Sequence, residues 1–388
     1  MRYPASEKLE IIRIVEQSHL PAKRTLDQLG IARRTFYRWY DRYLEGGPEA
    51  LEDRPSAPSR VWNRIPPDIH DQIIELALEQ SDRGAGLGGL TVLSCDNLAD
   101  NGRQLARLMG EYLDHRDPGL RAWFEAECVC PSTMVDRIVP ATTEADRAKL
   151  AGRFGLIDEA AVMTEPFSRW VIEDRFAGPR PRWEAAGAEL VADVQPYETA
   201  KLRMLNGAHS ALAYIGLARG HTYVHEAIAD AAIRPLIERL MREEAAPTIA
   251  AAPGQDLAAY AGALLARFAN PALQHKLIQI AMDSSQKIPQ RWLETLAANR
   301  AMGGDCPAIL AGLAAWIHHL RGANAAKWGP VDDPRATDLA AAAASPAPLD
   351  ALCGPSGLLA SAWTPGDADR IAVIAQLARS GRSPGYPS

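Results

Sequence analysis

Along the first part of the chain, apolar residues recur at helical spacing. Leu9, Ile12 and Val15 fall on one face behind Ser6, whose hydroxyl suits an N-cap, and this predicts a first helix. A second short helix is predicted to end near Gly30, where a left-handed residue can turn one helix sharply into the next. The turn Gly30-Ile31-Ala32 has the length of a helix-turn-helix connection. In the third segment, RRTFYRWYDRYL, a turn of about 100° per residue puts Phe36, Trp39, Tyr40 and Tyr43 on one face and Arg34, Arg38 and Arg42 on the other. After Gln80 the pattern changes. LTVLSC reads as a buried strand ending at Asp96-Asn97, helices are expected over about 98–127, PSTMVDRIVP reads as a connecting segment, and PYETAKLRMLNGAHSALAYIG as a helix over about 197–216.

Some polar residues interrupt these patterns at informative places. Ligands of open α/β sheets bind outside the carboxyl ends of the strands, which singles out Asn97, although capping the next helix is an equal use for it. Glu198, Lys201, Asn206 and His209 fall within roughly 140° of one helical face, so that an amine, an amide and an imidazole can converge; a solvated polar face carries the same pattern. The arginine stripe suits phosphates, and a solvated helix surface can also carry one.

Composition narrows the classes. With 388 residues, 47% hydrophobic and 23% charged, the chain is that of a soluble globular protein with room for two or three cores. A net charge of -6 gives no global attraction to nucleic acid, so any contact needs a local patch. Such a patch exists between Lys23 and Arg42, where Lys23, Arg24, Arg33, Arg34, Arg38 and Arg42 face only Asp27 and Asp41. Five cysteines without a C-x-x-C pair suit a reducing cytoplasm, and no run approaches the roughly 18 apolar residues of a membrane span, so no membrane partner is expected. Gly84 to Gly89 formally match G-x-G-x-x-G. A helical pattern precedes them and a strand pattern follows, the reverse of a dinucleotide fingerprint, so 81–89 reads as a flexible junction. His221 and His225 have metal-pair spacing without a third ligand, His318-His319 are no better placed, and no metal site is expected.

SCDNLADNG, PSTMVDRIVP, TEPFSRWVIEDRF, YETAKLRMLNGAHS and NPALQHKLIQIAMDSSQKIPQR follow one another in an order that resembles the mannitol dehydrogenase and fructuronate reductase family of polyol-specific long-chain dehydrogenases, over about residues 86–388. The resemblance implies a metal-independent, NAD-dependent oxidoreductase that interconverts a sugar alcohol or aldonate with its keto sugar or hexuronate. It implies Lys201 as the base, Asn97 and Asn206 as donors to the developing alkoxide, and His209 and Lys287 as holders of substrate hydroxyls or a carboxylate. Glu198 would relay protons, and Val135 and Asp136 would line the boundary of cofactor and substrate. Gln279 stands where some mannitol-oxidising members have arginine, and Ser284 replaces a common glycine, so mannitol, mannonate and other polyols stay open as substrates, as do NAD and NADP.

The stretches ASEKLEIIRIVEQS, ARRTFYRWYDRYLEGGPEALEDR and VWNRIPPDIHDQIIELALE resemble the helix-turn-helix region of an IS3-type transposase, over about residues 1–80. That implies contact with duplex DNA through residues 21–44, with Arg34, Arg38 and Arg42 as the contacting side chains. The expected organisation is therefore an all-α helix-turn-helix (1–80), a junction (81–89), an α/β remnant of a Rossmann-type domain (90–196) and a mainly α-helical substrate domain (197–388). The family's glycine motif lies ahead of the matching motifs, which implies an N-terminally truncated dehydrogenase. The alternatives are a sequence-specific DNA-binding fragment and a fusion product without activity.

Overall fold

The computed structural model describes residues 5–17, 25–26, 29, 31, 33–47, 51 and 88–380. The chain divides into two compact units, Met1–Gly84 and Ala85–Ser388.

In the first unit, helix α1 (Ala5–Gln17) and helix α2 (Arg33–Gly46) bury the faces that the periodicity assigned to a core. Ile11, Ile12, Leu26, Ile31, Phe36, Trp39 and Leu51 form a cluster, with Leu9, Val15, Tyr40 and Tyr43 packed against it. Phe36 and Tyr40, one turn apart, stack at 5.6 Å between ring centroids. Ser6 lies within the first turn of α1 instead of capping it. Gly30 and Ala32 of the predicted turn, most of the second helix and the side chains of Arg34 and Arg38 lie outside the described residues. Arg42 is half-buried.

In the second unit, helices α3 (Asn101–Arg116) and α4 (Pro118–Glu127) lead into strand β1 (Thr133–Asp136). Helix α5 (Glu144–Phe154) follows, then strands β2 (Arg169–Glu173) and β3 (Glu189–Val191). The sheet order is β1-β2-β3, with β1 antiparallel to β2 (Val135 opposite Trp170) and β2 parallel to β3 (Ile172 opposite Leu190).

Four sequence expectations change here. PSTMVDRIVP contains β1 instead of a connection; Thr133, Met134 and Asp136 are all buried, so the run has no alternation to betray a strand. LTVLSC is an extended segment bridged only at Thr91, where Val92 N donates to Val129 O and Val129 N to Leu90 O, both at 2.9 Å. The helix expected from residue 98 starts at Asn101, because Asp100 is left-handed at φ 51° and cannot continue a helix. Gly89, expected in a flexible junction, is closely packed: a Cβ there would lie 1.7 Å from the Glu127 carbonyl oxygen. Residues 84–87 are outside the described set.

The remainder is helical and holds the main core. Helix α6 (Gln195–Ala200), a π-helical turn (Lys201–Asn206) and helix α7 (Gly207–Ala218) run on without a break. Almost all of α7 is buried, which explains why its sequence is apolar on every side. Around it lie helix α8 (Leu257–Phe268), helix α9 (Ser284–Ile288), a π-helical turn (Pro289–Leu293), helix α10 (Glu294–Ala301) and helix α11 (Pro307–Leu320), with Trp292, Trp316, Tyr214 and Phe268 among the largest fully buried side chains. Pro289 has no N–H to give, so the regular helical ladder fails there and the wider turn replaces it. The two π-turns flanking α7 and α10 pack against each other, with Trp292 Nε1 donating to Gly207 O at 3.0 Å. Among the described residues no helix is long and apolar enough to cross a membrane.

Candidate active site

The site is assembled where the end of β1 meets the start of the first π-turn. Lys201, the first residue of that turn, is buried, and its Nζ donates to Asn97 Oδ1 at 2.6 Å and to the Val135 carbonyl at 2.5 Å. Burial pulls the Lys201 pKa below the ordinary lysine value, and the charges of Arg267 and Arg291 add to this against Asp136 and Glu198. Asn97 is exposed and does not cap α3. Because its oxygen faces a donor-only ammonium, its amide NH2 is left to point elsewhere.

Asn101, which sequence reasoning did not single out, fixes the loop that carries Asn97. Its Nδ2 donates to the carbonyls of Ser94 (3.2 Å), Asp96 (3.0 Å) and Thr133 (3.0 Å), and its Oδ1 accepts from Thr133 N at 2.9 Å. The Thr133 hydroxyl adds a bond to Ser94 O at 2.5 Å. One buried amide thus staples residues 94–97 to β1, a role visible only once the strand is placed.

Glu198, one turn before Lys201, accepts from Asp100 N at 3.3 Å through Oε2, while its buried Oε1 has no partner among the described residues. Burial raises its pKa above the usual carboxylate value. Across the site, α9 and the second π-turn present Lys287 and Arg291. An open cavity of about 540 Å³ is lined by Asn97, Val135, Glu198, Lys201, Asn206 and Lys287, all singled out from the sequence, together with Arg291.

Two expected residues are not on this wall. Asp136 is fully buried and does not line the cavity; both its oxygens accept from Arg267 (2.8 and 3.1 Å) and one also from the Tyr260 hydroxyl (2.8 Å). It ties β1 to α8. His209, one turn after Asn206, is buried with its ring centroid 4.7 Å from that of Phe268 and 5.5 Å from that of His275. Burial holds it well below the ordinary histidine pKa, and its Nε2 has no hydrogen-bond partner among the described residues.

Other singled-out groups have local roles. His221 pairs with Asp230 at 3.0 Å, and His225 stacks on Tyr223. Among the described residues no group of three or more His, Cys, Asp or Glu is placed to hold a metal ion. Ser284 Oγ donates to Asp333 at 2.9 Å, directly after the left-handed Asp283. Gln279 lies off the cavity, beside Ile278, Met282 and Trp328.

The chain matches the Mannitol dehydrogenase Rossmann domain over residues 43–185, the Mannitol dehydrogenase C-terminal domain over 193–349 and a Helix-turn-helix domain over 7–59. The Rossmann match reaches further toward the N-terminus than the motifs quoted above. D-mannonate oxidoreductase of Escherichia coli (strain K12) is 44% identical over 242 residues, covering 62% of this chain and 50% of the relative. Mannitol 2-dehydrogenase of Phaeosphaeria nodorum is 37% identical over 306 residues, covering 78% of this chain and 54% of the relative. The solved structure of Pseudomonas fluorescens mannitol 2-dehydrogenase, a ternary complex with NAD and D-mannitol, superposes with a TM-score of 0.64 at 32% identity, covering 77% of this chain and 60% of that one. The chain spans about half the length of the curated relatives it matches.

Proposed function

Because this chain belongs to the mannitol dehydrogenase family, we propose that the cavity around Lys201 is the site of an NAD-dependent oxidoreductase that interconverts a secondary alcohol of an open-chain polyol or aldonate with the ketone. The observation that carries this reading is the lysine itself: a buried Nζ on a cavity wall, held by an amide oxygen and a main-chain carbonyl, with a lowered pKa.

The donor set fits the reacting end of a nicotinamide dinucleotide and a polyol, since the wall offers the Lys201 amine, the amides of Asn97 and Asn206 and a carboxylate oxygen of Glu198 lacking a partner. Among the described residues no glycine turn leads from a strand into a helix to hold a pyrophosphate. Gly102, at the start of α3, instead lets the helix approach Pro131, whose carbonyl oxygen would be 2.6 Å from a Cβ. The dinucleotide supplies the hydride acceptor or donor. The protein supplies the proton path and the charge stabilisation.

In the oxidative direction Lys201, in its neutral form, takes the hydroxyl proton. Its lowered pKa makes that form accessible nearer neutral pH. The NH2 groups of Asn97 and Asn206 donate to the alkoxide as it forms, without bringing a charge that would hold the lysine protonated. Glu198, one helical turn away with a free oxygen, passes the proton from Lys201 toward solvent. Lys287 holds a neighbouring oxygen of the substrate. Reduction runs the same steps backward.

The test is NADH fluorescence titrated with the full chain, followed by NADH consumption on adding fructose or fructuronate. Saturable binding and ketone-dependent consumption are expected; a folded chain that shows neither overturns the reading.

A second reading concerns the first unit. The helix-turn-helix match over 7–59 and the burial of the aromatic face of α2 support contact with duplex DNA through residues 21–44, using Arg34, Arg38 and Arg42. Binding should weaken steeply with salt and with the triple alanine variant of those arginines; salt-independent binding, or none, excludes it.

A further inference from the structure

Two arginines of the second unit, Arg267 and Arg291, carry their charge in different surroundings. Arg267 is met by Asp136 at 2.8 Å and Glu165 at 2.7 Å. Arg291, on the cavity wall, gives Nη1 to Ser210 Oγ at 2.9 Å and to the Asn206 carbonyl at 3.5 Å. Among the described residues no carboxylate lies within ion-pair distance of it, and its Nε–Nη2 edge makes no hydrogen bond. Its charge is felt: burial without an acidic neighbour pulls its pKa down to about 10.

A guanidinium removed from water without an anion is costly, and folded chains keep such groups where a ligand supplies the missing charge. The neighbouring cation does not share this state. Lys287, four residues earlier on the same wall, donates to Met282 O at 2.6 Å and has Asp283 at 3.8 Å. The unanswered charge is therefore on Arg291, and the edge left open is the one that takes a carboxylate in a two-pronged hydrogen bond.

We propose that Arg291 is the carboxylate-binding residue of this cavity, so that the substrate is an open-chain sugar acid, a hydroxy or keto hexonate, in preference to a neutral hexitol or ketose. The proposal rests on the dehydrogenase reading for the reaction, while the anion contact itself does not need turnover. The carboxylate would sit against the Nε–Nη2 edge with the carbon chain laid along the wall toward Lys201. Gln286 and Gln290, also on that wall, are neutral donors and acceptors suited to the intervening hydroxyls.

Two measurements on the full chain decide it. With NADH present, fructuronate is expected to exceed fructose in kcat/KM by about 100-fold, as a charged hydrogen-bonded contact implies. Arg291→Gln should shrink that ratio by about tenfold or more, through KM for the acid, and Arg291→Lys should restore part of it. In parallel, mannonate should raise the melting temperature and mannitol at equal concentration should not, and Arg291→Gln should abolish the difference. No preference for the acid in the parent chain, or a preference retained in Arg291→Gln, overturns the proposal. If a folded chain turns over neither substrate yet shows the mannonate-specific, Arg291-dependent shift, the dehydrogenase reading fails and the carboxylate site stands; if the shift is absent too, both fall.

Discussion

Lys201 Nζ lies 2.6 Å from the side-chain oxygen of Asn97, a residue 104 positions earlier in the chain. The bond joins the first residue of a π-helical turn to a loop stapled onto β1 by Asn101, so the lysine's position and its proton affinity are set by two segments at once. Asn97→Asp changes only the charge of the partner. A carboxylate at that distance favours the ammonium, so the pH at which alcohol oxidation reaches half its plateau should rise by about one to three units, with a fall in rate near neutral pH. A pH–rate profile that does not move would show that Asn97 does not govern the lysine.

The two arginines give a stability test. Arg267→Met would leave Asp136 and Glu165 buried with no cation, at a cost of about 3–5 kcal/mol in urea unfolding. Arg291→Met removes a cation that no acid answers and should cost less than about 1 kcal/mol, or stabilise the free protein. Equal losses in the two variants would mean that Arg291 is answered by an acid as Arg267 is.

Acid should destabilise the helical core through its buried histidines. Burial lowers His275 and His319 to about 4 and holds His209 well below its ordinary value. The folded state keeps these rings neutral while the unfolded chain protonates near 6.5, so their contribution is complete above pH 6.5 and is lost as pH falls toward 4. For His319, which is 3% exposed, the loss by pH 4 is on the order of 3 kcal/mol. His319→Gln should flatten the fall of urea midpoint between pH 6.5 and 4; an unchanged slope would remove that ring from the account.

Much of this was legible in the sequence, and what was missed has physical reasons. The aromatic face of α2 was readable because helical periodicity separates faces. β1 was not, since a strand buried on both sides has no alternation, and with it went the roles of Asn101 and Asp136. Asp136 was expected at the boundary of cofactor and substrate from the family resemblance; it does not line the cavity, and Arg267 takes its carboxylate. The π-turn at 201–206 keeps the same residues in the helix and leaves no compositional mark, whereas Pro289 gave a signal for the second one. Arg291 was visible as a residue, but the lack of an acid beside it is a property of the fold alone.

Whether Lys201 handles the proton is read from the pH dependence of kcat/KM for oxidation of a polyol or aldonate by the parent chain and by Lys201→Ala. The parent rate should rise with pH to a plateau with a midpoint below the ordinary lysine value, and Lys201→Ala should lose about 10²–10⁴-fold in rate together with that limb. An alanine variant that keeps both the rate and the limb would contradict that role.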